Sequence, residues 1–505
     1  MFRRNYLIVI ALSFGLLSMS CKDRERLPEN AEFVKLDKTT LALTIEADSL
    51  EVPWDLQYDT HRNAIVFTEI AGSIKRLDLK TQQIDTLIQL TDVYHKRTLG
   101  LLGMALYQPK NEQAYLFISY TSLRQGSIYS NLVRYEYAED GQPINPKVLL
   151  QIPGSTGHNG SRIIISQDSK IIWATGDAAS DTFAQDSTAM NGKILRLNID
   201  GSIPYDNPIP KSYIYAWGFR NMQGLTQASS GKIYASEHGD AIEDEVNWIQ
   251  PLRNYGWPQI EGMHDTDQEL ILARKSPRTE PIRSWTPVIA PAGLAYYGHT
   301  EIPEWNNTLL LTTLKSQSLR ILKLSTDGTQ IIDEQILFAD YLGRLRSVLV
   351  VPNGDVYFST SNRDWNPQPG FPRDKDDVIY RLRPTEKVAK SPIFPTKPDT
   401  KLAKTGKELY KAYCESCHKE KGEGVPSSFP PLSKSAMVNG PEKPLLKALL
   451  NGLSAQQING IKYEGAMPSF GFLKNEEIAS IATYIRTQFG NQASAVQATT
   501  VQSNR

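Results

Sequence analysis

The feature that most constrains the fold is a pair of short strands that recurs over most of the chain. A turn residue precedes an apolar strand that ends in Thr or Ser, and a second strand often follows in which basic and apolar residues alternate, as in Lys193–Leu197. A buried strand followed by a half-exposed one is typical of a β-propeller blade. The regular recurrence favours a propeller over one or two β-sandwiches and predicts six blades, one of them degenerate. The five clear copies of the apolar strand are Asn63–Thr68, Lys170–Thr175, Gly231–Ser236, Asn307–Thr312 and Gly354–Ser359.

Three further regions follow this strand-rich part, which we assign to residues 40–383. Residues 384–405 are rich in Pro and Lys and predict a semi-rigid linker. Residues 406–490 have helical periodicity, which predicts a small all-α domain, and the polar residues 491–505 predict a disordered tail. The chain has 55 basic and 55 acidic residues, so its bulk charge does not indicate nucleic-acid binding.

Residues 1–21 have the pattern of an export signal. Arg3 and Arg4 precede an apolar run at 6–17 that is short for a membrane span, and Cys21 follows soon after. This pattern resembles a bacterial lipoprotein signal, which implies that lipid on Cys21 anchors the chain to a membrane surface in the periplasm or cell envelope. Because the last Leu lies one place farther from the Cys than usual, an ordinary cleaved signal is the alternative. Both alternatives predict export.

Two cysteines and a histidine form the most specific motif, Cys414-Glu415-Ser416-Cys417-His418. Two thiols on one helical turn can form thioether bonds to the vinyl groups of a haem, and the following His can then bind the iron. A zinc site needs further Cys or His residues nearby, and a thioredoxin motif needs a βαβ context. The sequence offers neither, so the motif predicts one covalently bound c-type haem with His418 as an axial ligand.

The second axial ligand is predicted to be Met467. The following Pro468 removes a backbone N–H and stiffens the loop, which helps to hold the Met side chain in place. The sequence Met467-Pro468-Ser469-Phe470 resembles the corresponding loop of small class I cytochromes c. The alternative, Met437, lacks this context, and a lone Met is usually a core residue.

An ordered set of motifs in the strand-rich part resembles the soluble quinoprotein glucose and sorbosone dehydrogenase family. The resemblance covers most of residues 51–383 and implies a six-bladed propeller that binds pyrroloquinoline quinone and calcium and oxidises an aldose or a related sugar. The most specific motifs are Asn191–Asn198, Gly218–Leu225, Ser236–Gly239, Asp244–Asn247 and Asn254–Pro258.

The resemblance also implies the catalytic residues. A neutral imidazole on a loop can take a proton from an alcohol near neutral pH. His158 matches the proton-abstracting His of the family, and Asp177 matches the Asp that orients it. Arg220 matches a residue that reaches the quinone oxygens and helps to make the quinone electrophilic.

Pyrroloquinoline quinone carries several carboxylates, for which arginine forks are well suited. Arg344 and Arg346 alternate across Leu345, so both point to one side of a strand. The resemblance implies that Trp285 stacks on the quinone ring. The whole cofactor-binding set that it implies is Arg220, Asn221, Gln223, Trp285, Lys315, Arg344 and Arg346.

Calcium would polarise the quinone carbonyl and takes oxygen ligands. The resemblance assigns these ligands to the backbone carbonyls of Gly239 and Asp240 and the side chain of Gln223. Asp240 stands where the family usually has Pro, which puts the rigidity of this loop in question. Thr98 stands where the family has a Gln or Glu that contacts substrate, so the substrate is open among glucose, sorbosone and other aldoses or aldehydes.

The predicted protein is therefore mainly β, a six-bladed β-propeller followed by a small all-α cytochrome c domain. Its predicted function is quinone-dependent oxidation of a sugar, with electrons passed to the haem and then to an acceptor such as another cytochrome or a respiratory oxidase. The alternative is a propeller that binds sugar or protein without a quinone, with the haem serving separate electron transfer.

Overall fold

Six antiparallel sheets form a closed ring in the computed structural model of the chain. The structure describes residues 27–180, 182–387, 390–398, 405–453, 457–458, 461–463 and 465–505, so the predicted export signal and Cys21 lie outside the described residues. The first strands of successive sheets contact one another around the ring, and the sixth sheet contacts the first. The predicted six-bladed propeller is confirmed.

The strands follow chain order, and in each of the first five blades the first strand is the innermost. Two strands precede the first blade, β1 (Glu32–Lys35) and β2 (Thr40–Ala47). Blade one consists of β3 (Pro53–Asp59), β4 (Ala64–Glu69), β5 (Ser73–Asp78) and β6 (Ile84–Gln89). Blade two consists of β7 (Leu101–Tyr107), β8 (Tyr115–Arg124), β9 (Ser127–Tyr137) and β10 (Pro143–Pro153). Blade three consists of β11 (Gly160–Ile165), β12 (Lys170–Thr175), β13 (Lys193–Asn198) and β14 (Ile214–Trp217). Blade four consists of β15 (Met222–Gln227), β16 (Ile233–Glu237), β17 (Asp244–Ile249) and β18 (Arg283–Trp285). Blade five consists of β19 (Pro291–Tyr297), β20 (Thr308–Thr313), β21 (Ser318–Leu324) and β22 (Ile331–Leu337). Blade six contains β23 (Leu345–Val350), β24 (Val356–Thr360) and β25 (Ile379–Pro384).

The N-terminal strands complete the sixth blade and close the ring. Strand β2 pairs antiparallel with β25, with Leu43 opposite Leu382, and β1 pairs with β2 at the outer edge. The last blade is thus built from both ends of the propeller sequence. Ring closure therefore depends on backbone hydrogen bonds between residues that are far apart in the chain.

The recurring Thr or Ser has a structural reason in this ring. The predicted apolar strands correspond to the second strands of five blades, and β8 is the degenerate copy. The hydroxyl of Thr68 donates to Leu102 O at 2.8 Å, and that of Ser236 donates to Ala292 O at 2.9 Å, each in the next blade. The hydroxyl of Ser359 donates to Pro53 O at 2.7 Å, from the sixth blade to the first. These bonds fasten each of these blades to the inner strand of its neighbour.

A separate helical domain follows the propeller, which itself contains only short helices among its described residues, α1 (Asp267–Lys275) and a 3₁₀ helix (Pro303–Trp305). Buried leucine, isoleucine and aromatic side chains from the helices form the core of this domain, residues 405–505. None of the described helices is long and apolar enough to cross a membrane. The elements of the domain are α2 (Gly406–Tyr413), α3 (Glu415–His418), α4 (Ala436–Asn439), α5 (Glu442–Asn451), β26 (Gln457–Ile458), β27 (Ile461–Lys462), α6 (Asn475–Thr487) and α7 (Ala498–Gln502).

Two regions differ from the sequence-based expectation. Within the predicted linker 384–405, Ile393 exchanges backbone hydrogen bonds with β1, and Thr396 does so with Ile336 of β22 at 2.8 and 2.9 Å. Within the predicted disordered tail 491–505, helix α7 forms and Val501 is fully buried in the core of the helical domain. In both regions a few residues form hydrogen bonds or apolar contacts with distant parts of the chain, which the local sequence does not indicate.

The cross-blade bonds can be tested at Thr68. Thr68→Val keeps the shape of the side chain but leaves Leu102 O without its donor, and should lower the free energy of unfolding by about 1–3 kcal/mol. The control Thr86→Val changes an exposed residue of β6 and should have almost no effect. Urea unfolding followed by tryptophan fluorescence measures both. Equal stability of the two variants would show that the bond does not fasten the blades.

Candidate functional site

The sequence-predicted site residues gather at one end of the propeller. In this ring, the loops that enter the first strand of each blade and those that leave the second strand open at the same end. His158 precedes β11 and Asp177 follows β12, whereas Arg220 precedes β15 and Arg344 precedes β23. Residues from three blades, far apart in sequence, therefore lie around one opening.

His158 is held in one orientation by Asp177. Its Nδ1 lies 2.9 Å from Asp177 Oδ1, and the same carboxylate accepts from Trp257 Nε1 at 2.7 Å and from Ala179 N at 2.8 Å. An ionised carboxylate only accepts hydrogen bonds, so Nδ1 carries the proton and Nε2 keeps its lone pair. The His158 side chain is 25% exposed while that of Asp177 is 1% exposed. The free nitrogen thus belongs to a fixed, accessible imidazole, the arrangement that a general base requires.

A chain of contacts joins the fourth and sixth blades across the site. Asp364 Oδ2 accepts from Arg344 Nη2 at 3.2 Å and from Arg346 Nη2 at 2.9 Å. Arg346 Nη1 donates to Gln223 Oε1 at 3.3 Å, and Gln223 Nε2 donates to Asn221 Oδ1 at 3.2 Å. All five side chains are buried. The two arginines and the two amides predicted to bind the cofactor therefore form one connected group.

Arg220 directly precedes Asn221 of this group and accepts at its backbone O from Asp177 N at 2.8 Å. Its Nη2 donates to Asp240 Oδ1 at 2.7 Å, and its guanidinium carbon lies 5.3 Å from the centre of the Trp257 ring. Its backbone N–H donates to Glu237 Oε2 at 3.0 Å. Trp257 thus contacts both Arg220 and the carboxylate that orients His158.

Several arginine side chains of the site keep unused hydrogen-bond donors. Around this opening, four guanidinium nitrogens are buried without a hydrogen-bond partner among the described residues: Arg162 Nη2 and the Nε atoms of Arg220, Arg344 and Arg346. Burial, together with nearby Arg344 and Arg162, lowers the pKa of Arg346 to about 10. Burial and the charges of Arg220 and Arg346 lower the pKa of His238 to about 3. An anion with several oxygens would satisfy these donors and relieve the repulsion.

Two members of the predicted cofactor set have other partners in the structure. Trp285 lies on the outermost strand of the fourth blade, packs into the core and donates from Nε1 to Glu334 Oε1 at 3.1 Å. Its contacts are thus with Arg320 and Glu334 on the outer strands of the fifth blade, and its stacking on the quinone stays a prediction. Lys315 lies in the loop after β20 and donates from Nζ to Ala412 O of the helical domain at 2.7 Å.

The predicted calcium loop is rigid despite the Asp at 240. Gly239 N donates to Asp244 Oδ1 at 2.9 Å, and Asp244 Oδ2 accepts from Ile289 N and Ala290 N at 2.5 and 2.6 Å. A Cβ on Gly239 would lie 1.9 Å from a backbone oxygen, so only glycine fits. No group of three or more acidic, His or Cys side chains among the described residues could hold a metal, so a calcium ion here would rely on carbonyl and amide oxygens.

Sequence analysis missed three residues that the site depends on. Asp364 holds both arginines, but it follows β24 in a loop with no distinctive pattern. Trp257 falls inside a recognised motif, yet nothing in the sequence shows that it reaches Asp177. Arg162 follows His158 by four residues, and its Nη1 lies 2.5 Å from Asp55 Oδ1 with its guanidinium 4.3 Å from the ring of Trp54. The spacing to His158 was the one available signal.

The helical domain places the haem-motif residues on one short stretch. Cys414 ends α2, and α3 carries Cys417 and His418. His418 Nδ1 lies 2.9 Å from Pro430 O, so Nδ1–H donates and Nε2 stays free to bind iron. Burial lowers the pKa of His418, which keeps the imidazole neutral as a metal ligand must be.

Two backbone hydrogen bonds hold Met467 in its loop. Its backbone N and O pair with Leu453 at 2.8 Å in both directions, and its side chain packs against the core that contains Cys414. Met437 lies on α4 and is 37% exposed. The core position of Met467 supports it as the axial ligand over Met437.

Comparison with known proteins assigns both parts of the chain. Residues 50–366 match the family model described as Glucose / Sorbosone dehydrogenase, and residues 401–485 match that of Cytochrome C oxidase, cbb3-type, subunit III. The PQQ-bound aldose sugar dehydrogenase of Streptomyces coelicolor has a TM-score of 0.59 and 29% identity over 68% of this chain and 98% of that chain. Quinoprotein glucose dehydrogenase B of Acinetobacter calcoaceticus is 26% identical over 61% of this chain and 82% of its own. Cytochrome c-552 of Thermus thermophilus is 40% identical over 17% of this chain and 69% of its own.

The haem motif leads to a direct prediction. Protein from a host with haem-attachment machinery should keep its haem on a denaturing gel, whereas a Cys414→Ala, Cys417→Ala double variant should lose it. Cys21→Ser, which removes the other cysteine, is the matched control and should keep the haem. Met467→Ala should shift the haem absorbance spectrum, while Met437→Ala should leave it unchanged. Loss of haem from the denatured wild-type chain would refute covalent attachment.

Proposed function

Because the chain belongs to the glucose/sorbosone dehydrogenase family, we propose that its propeller oxidises an aldose or a related sugar with pyrroloquinoline quinone. We further propose that the cytochrome c domain carries the electrons away through a c-type haem. The observation that supports this most is the pairing of a fixed imidazole, His158 with Asp177, with a group of buried guanidinium donors at the same opening.

The residues present fit the quinone. Its carboxylates would take the free donors of Arg344 and Arg346, which Asp364 already holds side by side. Asn221 and Arg220 would reach the quinone oxygens, and Trp257 is the aromatic residue beside them. When bound, the quinone supplies an electrophilic orthoquinone that accepts a hydride from the substrate carbon.

His158 would then act as the general base. Its Nε2 takes the proton of the anomeric hydroxyl, so the carbon–oxygen single bond becomes a carbonyl as the hydride leaves the carbon. Asp177 keeps the tautomer that makes this possible and stabilises the imidazolium that forms. Trp257 and Ala179, which donate to the same carboxylate, prevent Asp177 from turning away.

Calcium would bind at the carbonyls of Gly239 and Asp240 and the Gln223 side chain, with its charge directed to the cofactor. Thr98 is exposed and short, so it offers little contact to a sugar, which supports a substrate specificity other than that of a glucose-specific enzyme.

We also propose export with a lipid anchor at Cys21 and delivery of electrons to an external cytochrome or respiratory oxidase.

A reconstitution experiment tests the proposed function. Purified protein receives pyrroloquinoline quinone and calcium, and a panel of sugars is assayed with a small dye as electron acceptor. We expect sugar-dependent dye reduction that needs the quinone and falls when calcium is chelated. Sugar binding without dye reduction would favour the quinone-free binding propeller.

The base can be tested at His158. His158→Asn should lower turnover with dye by about 10²–10⁴-fold, because general-base catalysis contributes about that much. Quinone binding, followed by its absorbance, should be retained. His61→Asn, an exposed His at a distant turn, is the control and should keep normal turnover. Normal turnover in His158→Asn would exclude it as the base.

The joining of the two domains predicts internal electron transfer. Thr396 is bonded to the propeller and Thr405 is the N-cap of α2, so the eight intervening residues span at most about 30 Å. Such a tether gives an effective concentration of about a millimolar or more. Sugar added to the quinone-loaded chain should therefore reduce its own haem at a rate independent of protein concentration, measured by stopped-flow absorbance. A rate that rises with concentration would show transfer between chains.

A further inference from the structure

Three loops at the site-bearing end of the propeller contact the cytochrome c domain. They come from three different blades: the loop after β16, the loop after β20 and the loop after β24. Each of them also carries, or directly adjoins, a residue of the proposed quinone and calcium site. The contacts on the cytochrome c domain centre on the haem-attachment segment, which we define as Ala412–Lys419.

The loop after β20 supplies a half-buried lysine to this segment. Lys315 Nζ donates to Ala412 O at 2.7 Å. Ala412 lies in the last turn of α2, where carbonyls have no partner within the helix and a positive charge is favourable. Burial lowers the pKa of Lys315, while Asp244 and the thiols of Cys417 and Cys414 raise it. The thiols that would bind haem therefore lie close to a cation of the quinone site.

The loop after β24 makes the most extensive contact. Asn366 Nδ2 donates to Ser416 O at 3.0 Å, between the two cysteines, and Lys419 Nζ donates to Pro367 O at 2.9 Å and to the side chain of Asn366. The ring of Trp365 lies 5.9 Å from that of Phe429. The preceding residue, Asp364, is the one that holds Arg344 and Arg346.

The loop after β16 adds an apolar contact. Ala241 and Ile242 pack into the hydrophobic core of the cytochrome c domain. They directly follow Gly239 and Asp240, whose carbonyls are the proposed calcium ligands. Each of the three loops thus has residues in or next to the proposed cofactor site and residues that contact the cytochrome c domain.

We propose that these three loops form a docking surface for the haem-attachment segment of the same chain, and that internal electron transfer takes place in this docked arrangement. The part of this inference that concerns electron transfer rests on the proposed function. The docking itself rests on the contacts alone. The surface joins two domains through a small number of side chains, of which Trp365 and Lys419 have no part in the proposed catalytic or cofactor-binding groups.

Two variants test the docking surface in the full-length, haem-loaded chain. Trp365→Ala removes the aromatic contact from the propeller side, and Lys419→Ala removes the hydrogen bonds from the cytochrome c side. Lys447→Ala, on an exposed face of α5, and Tyr205→Ala, a fully exposed propeller residue, are the matched controls. Thermal unfolding and the haem spectrum verify that each variant is folded.

The first measurement is hydrogen–deuterium exchange without quinone or sugar, which does not depend on catalysis. Both docking variants should exchange faster than wild type at 239–242, 364–367 and 412–419, and the controls should not. Unchanged exchange in both docking variants would overturn the docking surface.

The second measurement is sugar-driven haem reduction with quinone bound. Both docking variants should slow it at least tenfold while keeping dye-coupled turnover within about twofold of wild type. Faster exchange with an unchanged rate of haem reduction would show that electron transfer does not use this docking. Absence of dye-coupled turnover in wild type would instead reject the proposed function and leave the exchange result to decide the docking.

Discussion

The pairing of β2 with β25 is the interaction on which the rest of the structure depends. It places Leu43 opposite Leu382 and so makes one blade out of the two ends of the propeller sequence. The bond from Ser359 to Pro53 O then joins that blade to the first. Only in a closed ring do the loops around His158 in the third blade and around Arg344 in the sixth face the same opening. The site therefore exists because the ring closes.

Closure has an electrostatic consequence at that opening. It brings together the buried side chains of Arg162, Arg344 and Arg346, and some of their guanidinium donors remain without partners among the described residues. Burial of charge without complete pairing costs free energy. The lowered pKa values of Arg346 and His238 reflect this strain on the site. A multiply charged anionic cofactor would satisfy these donors, which supports the proposal that the site binds pyrroloquinoline quinone.

The loops that converge at this opening also contact the cytochrome c domain. Asp364 holds the arginines while its neighbours Trp365–Pro367 contact the haem-attachment segment, and Gly239 adjoins residues that pack into the cytochrome core. In the proposed function, binding of the quinone and transfer of its electrons would thus depend on adjoining residues of the same loops. The short connection after Thr396 keeps the domain within reach of this end of the propeller.

The sequence by itself determined the features that a few adjacent residues encode. The strand repeat predicts the propeller because each blade repeats one local pattern, and Cys414–His418 predicts haem attachment because both thiols and the ligand lie on one helical turn. His158, Asp177, Arg344 and Arg346 were found through motifs that resemble a family. The tertiary structure decided what depends on residues far apart: the bond from Trp257 to Asp177, Asp364 between the arginines, Lys315 on Ala412, and the helix in the C-terminal tail. These contacts are set by which loops ring closure brings together, and no local pattern of residue types records that.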